Sequence, residues 1–140
     1  IQKNIMEIKS VCILWEDLPL GIMANTAAIL GVSLGKHAPT LAREDVYDST
    51  EGKHPGIVQY PLPILKTNQE TLASIYQKVQ TMEDVYFVDF TNIAQSCLDY
   101  DDYIQKMKKA TQETIEYYGI ALLGPKKSIN RLSGSLPLLR

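Results

Sequence analysis

The chain contains 140 residues, of which 45% are hydrophobic, and its 14 basic and 16 acidic side chains leave a formal net charge of −2. This length is typical of one domain that buries about two-thirds of its unfolded surface. The near-neutral charge excludes strong nucleic-acid binding through a markedly basic face. Its apolar runs are much shorter than the roughly twenty residues that span a bilayer, so we expect a cytoplasmic protein with no membrane partner.

Two cysteines, Cys12 and Cys97, lie within apolar segments. A free thiol in such a segment behaves as a small hydrophobic side chain. We therefore expect both to pack as free thiols, without a disulfide or a redox pair. Residues 1–140 are predicted to form a single domain, with residues 1–8 as a peripheral N-terminal extension.

Three segments predict the central strands of a sheet. Residues 10–15, 85–90 and 117–123 are rich in β-branched or aromatic side chains and are apolar on both faces. This composition is typical of strands that are covered on both sides. We expect these three strands to carry the core.

Other extended segments are expected at the edges. Residues 45–48 and 56–59 flank a polar turn, which predicts either a hairpin or an excursion at the sheet edge. Pro61 and Pro63 lack the amide hydrogen that a strand ladder needs, which excludes a central strand around them. Residues 136–139 extend again and contain a proline, which also marks an edge.

Helices are predicted between these strands. A helix of small residues starts at Asn25 or a neighbour and ends at Gly35, which is expected to be a left-handed cap. Thr67 and Glu70 form a capping box that opens a second helix. The apolar residues of this second helix recur at helical spacing, at Leu72, Ile75, Tyr76 and Val79.

Two more helices are marked by their ends. Acidic side chains follow Asp99, and lysines gather in residues 106–109, as the helix dipole favours. Pro125 is expected in the first turn of a short helix that Gly134 closes. Strands alternating with helices predict a three-layer α/β sandwich, with helices on both faces of the sheet.

Three motifs carry a resemblance to a known family. They are DLPLG at residues 17–21, VDFT at residues 88–91, and GPKKSIN at residues 124–130 followed by the closing LSGSLPLLR. Together they resemble the bacterial family numbered two thousand among the domains of unknown function, from Lys9 onward. The resemblance implies a fold similar to type-two peptidyl-tRNA hydrolases, with a mixed sheet of about four strands between helices, and a homodimer.

The chain departs from those hydrolases where they carry polar groups. In place of their paired lysines, glutamine and histidine, it has Ile22, Ala24, Ala28 and Gly31. Asp17, Asp89 and Gly134 match hydrolase positions. The resemblance therefore implies the scaffold and not the parent activity.

A candidate site follows from the strand ends, because α/β sheets bind ligands beyond the carboxyl ends of their strands. The polar residues that follow three predicted strands are Asp17, Asn25 and Thr26, then Asp89, Thr91 and Asn92, then Gly124, Lys126, Lys127 and Asn130. We expect them to form one cleft for a small polar or anionic ligand. The alternative is that the polar side chains cap helices and the lysines are solvated.

Catalytic signals are few. No nucleophile elbow, zinc-protease, phosphate-loop or dinucleotide motif is present, and His37 and His54 fit no established metal-ligand spacing. We expect no cofactor and no metal. Asp17 and Asp89 are the visible candidates for a general base.

Three function classes follow from these observations. A small-molecule binding module is preferred, because the scaffold is retained without the hydrolase's polar groups. A hydrolase with altered chemistry on an ester or RNA-linked substrate is the alternative. A partner-binding protein, using the apolar residues 61–65 and 136–139, is the third.

Overall fold

The computed structural model describes residues 7–38 and 41–140. Its strands are β1 (Ile8–Trp15), β2 (Val46–Tyr47), β3 (Lys53–His54), β4 (Ile64–Thr67), β5 (Tyr86–Thr91) and β6 (Tyr117–Pro125). Its helices are α1 (Leu20–Gly35), α2 (Gln69–Val79), α3 (Asn92–Gln95), α4 (Tyr100–Lys109) and α5 (Lys126–Ser133). None of these helices is long and apolar enough to cross a bilayer.

The central sheet has four strands in the order β4, β1, β6, β5. β1 runs parallel to β4, whereas β6 runs antiparallel to both β1 and β5. The three predicted core strands are confirmed as β1, β5 and β6, and the mixed α/β sheet is confirmed with them. The predicted hairpin is confirmed as β2 paired with β3 in a separate ribbon, but its second strand is Lys53–His54, inside the predicted turn, and not residues 56–59. Val58 instead forms an isolated bridge with Ala42.

Side chains of β1 alternate between two cores. Val11 and Ile13 pack with Leu72 and Ile75 of α2 on one face. Cys12 and Leu14 pack with Leu30 and Leu34 of α1 on the other. Each fully buried side chain of this size stabilises the fold by about 1.5 to 3 kcal/mol. Helices therefore cover both faces, and the three layers follow from the two-faced apolarity of β1.

The start and end of α1 differ from the prediction. The helix begins at Leu20 and not near Asn25, with Pro19 at the N-cap and no side-chain cap. Proline fixes φ at a helical value, so it can open a helix without a hydroxyl or carboxylate. Gly35 is helical, and no described glycine has a positive φ. The predicted left-handed cap at Gly35 is therefore wrong.

The next helix starts are close to their predicted places. Asn68, and not Thr67, caps α2, and its side chain accepts a hydrogen bond from Thr71 N at 2.8 Å. Thr67 instead ends β4, where it pairs with Trp15. Asp99 caps α4 as its position predicted. Pro125 is the N-cap residue of α5 and does not lie in its first turn.

The described part of the chain begins in the sheet at β1 and closes along its β4 edge. Residues 1–6 of the predicted N-terminal extension lie outside the described residues, but Ile8 already belongs to β1. Near the C-terminus, Lys66 N donates to Pro137 O at 3.0 Å and Leu139 N donates to Ile64 O at 2.8 Å. Residues 136–139 therefore extend along the outer side of β4, at the edge that Pro137 predicted.

Candidate functional site

Strand direction divides the predicted site residues between opposite ends of the sheet. β1 and β5 both run antiparallel to β6, so their carboxyl ends lie at one end and that of β6 lies at the other. β6 has nine residues, and at about 3.3 Å per residue its two ends are more than about 25 Å apart. The prediction that these residues share one cleft is therefore wrong.

At the carboxyl end of β6, the polar residues make local pairs. Lys126 Nζ lies 3.6 Å from Glu7 Oε1, and Asn130 Oδ1 accepts a hydrogen bond from Lys9 Nζ at 2.5 Å. Lys127 is exposed, as are Lys126 and Asn130. This group has the exposure expected of a solvated surface.

At the opposite end, the polar residues are held by α1 and α3. The Thr91 hydroxyl accepts a hydrogen bond at 3.5 Å from a backbone amide of α3, so Thr91 caps that helix. Asn25 contacts Gln95 of α3 at 3.5 Å. Thr26 is fully buried, and its hydroxyl has no hydrogen-bond partner among the described residues. Asn25 and Thr26 do not cap α1, which starts before them.

Asp17 and Asp89 occupy different surroundings. Asp17 is exposed in the turn between β1 and α1. Asp89 lies inside β5 and caps no helix, and it pairs in the sheet with Ile120, which pairs in turn with Ile13 of β1. Two strand spacings, about 10 Å, therefore separate Asp89 from β1. The two carboxylates do not form a pair.

A groove runs along the outer edge of β5, between α1 and the α3–α4 segment. We call it the β5 groove. It is lined by Ser33 of α1, by Lys36 and His37 just after that helix, by residues 87–90 of β5, and by Cys97, Asp99 and Tyr103 among others. Its volume is about 630 Å³, within the range of small-molecule sites. Asp89 is the predicted site residue that this groove contains.

Asp89 is a half-buried carboxylate in the wall of the groove. Burial raises the pKa of its carboxyl above the ordinary value, and its own backbone N–H is the one hydrogen-bond donor that acts against this rise. Burial, followed by the charge of Asp89, raises the pKa of the Tyr103 phenol. The charge of Asp89 also raises the pKa of Tyr117, after burial as the main cause. The phenols of Tyr103 and Tyr117 thus lie close enough to the carboxylate for its charge to affect them.

Two pairs of aromatic rings lie at the groove, one beside β5 and one on α4. His37 stacks on Tyr86 with ring centroids 4.8 Å apart and planes at 20°. Tyr100 and Tyr103 of α4 pack edge to face at 5.5 Å. Tyr86 and Tyr100 remain more than half exposed. The groove therefore offers ring faces to a ligand beside Asp89, Lys36 and Asp99, and the Asp99 carboxylate is already engaged as the cap of α4.

The hairpin carries the remaining acidic and histidine side chains. The Asp48 carboxylate accepts hydrogen bonds from Thr50 and Gly52 and lies 2.8 Å from His54 Nε2. These contacts, led by the Thr50 hydroxyl, lower the pKa of Asp48. In residues 7–38 and 41–140, no three His, Cys, Asp or Glu side chains come together as metal ligands.

The closing apolar segment is engaged within the chain. Leu138 forms a bridge with Leu65 of β4, and Leu136 and Leu139 pack against the two cores. Leu138 keeps 45% of its surface exposed. Of the candidate partner-binding residues 136–139, Leu136 and Leu139 are thus engaged with the cores, whereas Pro137 and Leu138 are exposed.

Sequence reasoning missed His37 and Tyr103 as groove residues. His37 fits no established metal-ligand spacing, and Tyr103 belongs to no recognised motif. α4 has no buried residue, although its tyrosines are spaced as if they faced a core. Aromatic residues on a helix that a small domain cannot cover are the signal that could have indicated a binding surface.

Comparison with solved structures identifies the same fold in a protein of unknown function from Agrobacterium tumefaciens. The two structures superpose with a TM-score of 0.85 at 18% sequence identity, covering 96% of this chain and 98% of the other. An identity this low shows the fold alone. A search of curated proteins finds no match.

The family comparison covers nearly the whole chain. A family model described as protein of unknown function DUF2000 matches residues 8–140. The match begins where β1 begins and includes every element of the sheet. The chain therefore belongs to the DUF2000 family.

Proposed function

We propose that the chain is a small-molecule binding module whose ligand lies in the β5 groove and presents a hydrogen-bond donor to Asp89. The observation that carries this proposal is a half-buried carboxylate in the groove wall without a hydrogen bond from another described side chain. A buried charge is costly unless it is paired. A protonated amine on a ligand would supply the missing partner.

The groove supports this proposal in two further ways. β5 is the last strand of the sheet, and an open strand edge presents backbone N–H and C=O groups that can bind a ligand. The exposed rings of Tyr86 and Tyr100 flank the groove and attract cations through their faces. These features favour a polar ligand with a positive group. They replace the expected anion site, since Lys126 and Lys127 lie at the other end of the sheet.

The scaffold is proposed to be that of the type-two peptidyl-tRNA hydrolases, without their activity. Ile22, Ala24, Ala28 and Gly31 all lie on α1 and offer neither charge nor a side-chain hydrogen bond. Residence in a bacterial cytoplasm and assembly into a homodimer belong to the same proposal. The homodimer is supported by α1, which has no charged residue and exposes Leu20 and Val32 by 81% and 80%.

A thermal-shift screen tests the binding function. A panel of compounds of matched size, bearing an amine, a carboxylate or neither, is applied to the wild-type chain and to Asp89→Asn. We expect amine-bearing hits that raise Tm by mass action. Their affinity should fall at least tenfold in Asp89→Asn, because a paired buried charge is removed.

Lys126→Ala is the matched control, since it changes a charge at the opposite end of the sheet. It should leave the affinity of these hits unchanged. A hit that tolerates Asp89→Asn but is lost in Lys126→Ala would overturn the proposal. The same result would restore the anion site at the end of β6.

An enzyme that uses Asp89 as a general base is a second candidate, because the raised pKa of Asp89 makes it a stronger proton acceptor. The substrate would carry an ester or an RNA-linked acyl group. Ester hydrolysis that is abolished by Asp89→Asn but retained in Lys126→Ala would favour the enzyme. Binding of amine-bearing hits without turnover of model esters would favour the binding module.

A further inference from the structure

A second, smaller cavity lies on the α1 side of the sheet, away from the β5 groove. We call it the α1 cavity. Its volume is about 150 Å³, and it is lined by Ser10 of β1, by Gly31, Leu34 and Gly35 of α1, and by Val58 and Tyr60 among others. It shares no lining residue with the β5 groove. None of its lining residues is charged.

Two glycines of α1, Gly31 and Gly35, line this cavity. Glycine destabilises a helix relative to alanine, so a glycine inside a helix calls for a reason. A Cβ atom added at Gly31 or Gly35 would meet no described atom within 4 Å. By contrast, a Cβ at Gly119 in β6 would lie 2.9 Å from Ile13 O. Packing within the described chain explains the glycine at 119 but not those at 21, 31 and 35, of which the last two line the cavity.

The side chain of Ser10 is a polar group on the side of the sheet that holds the α1 cavity. Ser10, Cys12 and Leu14 are spaced two residues apart along β1, so Ser10 shares the face that packs on α1. It is 5% exposed, and its hydroxyl donates to Pro61 O at 3.4 Å. This distance is at the outer limit of a hydrogen bond, and the hydroxyl oxygen can still accept another. The cavity therefore combines apolar walls with one available acceptor.

We propose that the α1 cavity binds a compact, neutral aromatic molecule that carries one hydroxyl group. A volume of about 150 Å³ suits a benzene-sized molecule, and because Val58 and Tyr60 in its wall are exposed, the cavity is open to solvent on one side. No charged side chain lines the cavity, so a charged ligand would lose water there without gaining a partner. A ligand hydroxyl can donate to Ser10 Oγ, and this contact selects a phenol over a plain hydrocarbon.

Titration with phenol and benzene, followed by NMR, tests the proposal on the whole chain. We expect phenol to shift resonances of β1 and α1 and to bind at least threefold more tightly than benzene. In Ser10→Ala this preference should disappear, while benzene binding is retained. Equal affinities for the two compounds in the wild-type chain would overturn the proposal, as would a preference that survives Ser10→Ala.

A second pair of variants tests the role of the glycines. Gly31→Leu fills the cavity and should abolish phenol binding, whereas Gly21→Leu changes a glycine of the same helix that does not line it and should leave binding unchanged. Gly31→Ala, the milder variant, should weaken binding at least threefold if Gly31→Leu does not fold. Phenol binding that is unaffected by Gly31→Ala and Gly31→Leu would place the ligand elsewhere and overturn the proposal.

Discussion

At one edge of the sheet β4 is covered by the closing segment, whereas at the other edge β5 borders a groove. On the β4 side, backbone hydrogen bonds from Lys66 and Leu139 join the two segments, and Leu138 pairs with Leu65. On the β5 side, no described strand pairs with the outer edge. Natural sheets protect their edges against association. An edge left open beside a groove is therefore a place to look for a ligand.

The largest effect is expected from uncovering the β4 edge. Deletion of residues 136–140 removes Leu136 and Leu139, each half-buried against a core, and should lower the free energy of unfolding by about 2 to 3 kcal/mol. Denaturant unfolding measures this loss. Size-exclusion chromatography should also detect self-association through the exposed edge.

Deletion of Arg140 alone is the matched control, because this residue is exposed. It should leave the stability within about 0.5 kcal/mol of the wild type. If the longer deletion is equally harmless, the closing segment does not protect β4, and the contrast between the two edges fails.

A smaller effect is expected from Asp89 at the open edge. Its folded-state pKa is raised by burial, so stability falls as pH rises from the unfolded pKa through the folded one. Asp89→Asn removes the cost of ionising this carboxylate in the folded chain, so it should stabilise the chain at pH 7 by about 1 kcal/mol. A gain of this size is typical when a functional residue is replaced. Denaturant unfolding at pH 7 and at pH 4 should show the gain at the higher pH only.

Asp17→Asn provides the comparison, since Asp17 is exposed in a turn. It should change stability little at either pH. A loss of stability in Asp89→Asn at pH 7 would mean that the charged carboxylate is well paired in the folded chain, which contradicts the assigned role of the groove.

The smallest and most local effect concerns the strand edges themselves. Amides on the outer side of β5 should exchange with solvent about tenfold faster than Lys66 N, which is bonded to Pro137 O. Hydrogen exchange followed by NMR resolves the individual amides. In the chain lacking residues 136–140, Lys66 N should exchange as fast as the outer amides of β5.

The sequence predicted which segments are buried better than it predicted the direction in which each strand runs. Two-faced apolarity identified β1, β5 and β6, and the helical spacing of Leu72, Ile75 and Val79 identified α2. Alternating apolar residues indicate which segments are buried, but they do not indicate which way a strand runs. The expected cleft assumed a common direction and failed for that reason.

The direction of β6 depends on contacts between distant segments. Asn92, the first residue of α3, donates to Thr114 O at 3.2 Å and accepts from Glu116 N at 2.9 Å. These bonds hold the start of β6 beside the end of β5, so β6 must run back antiparallel. A helix packed on the sheet would have produced a parallel crossover, but α4 buries no residue. Neither fact can be read from local periodicity.

The labelling rates of the two free cysteines report on different changes in the protein. Cys12 lies in β1 at the centre of the sheet and is only 2% exposed. This burial raises the pKa of its thiol to about 12. Reagents that react with cysteine thiolates will therefore label Cys12 only when the sheet unfolds. Cys97 lines the β5 groove and is partly exposed, so its labelling rate reports whether the groove is occupied. With one reagent, the labelling rate of Cys12 measures global unfolding and that of Cys97 measures ligand binding, and no probe has to be introduced.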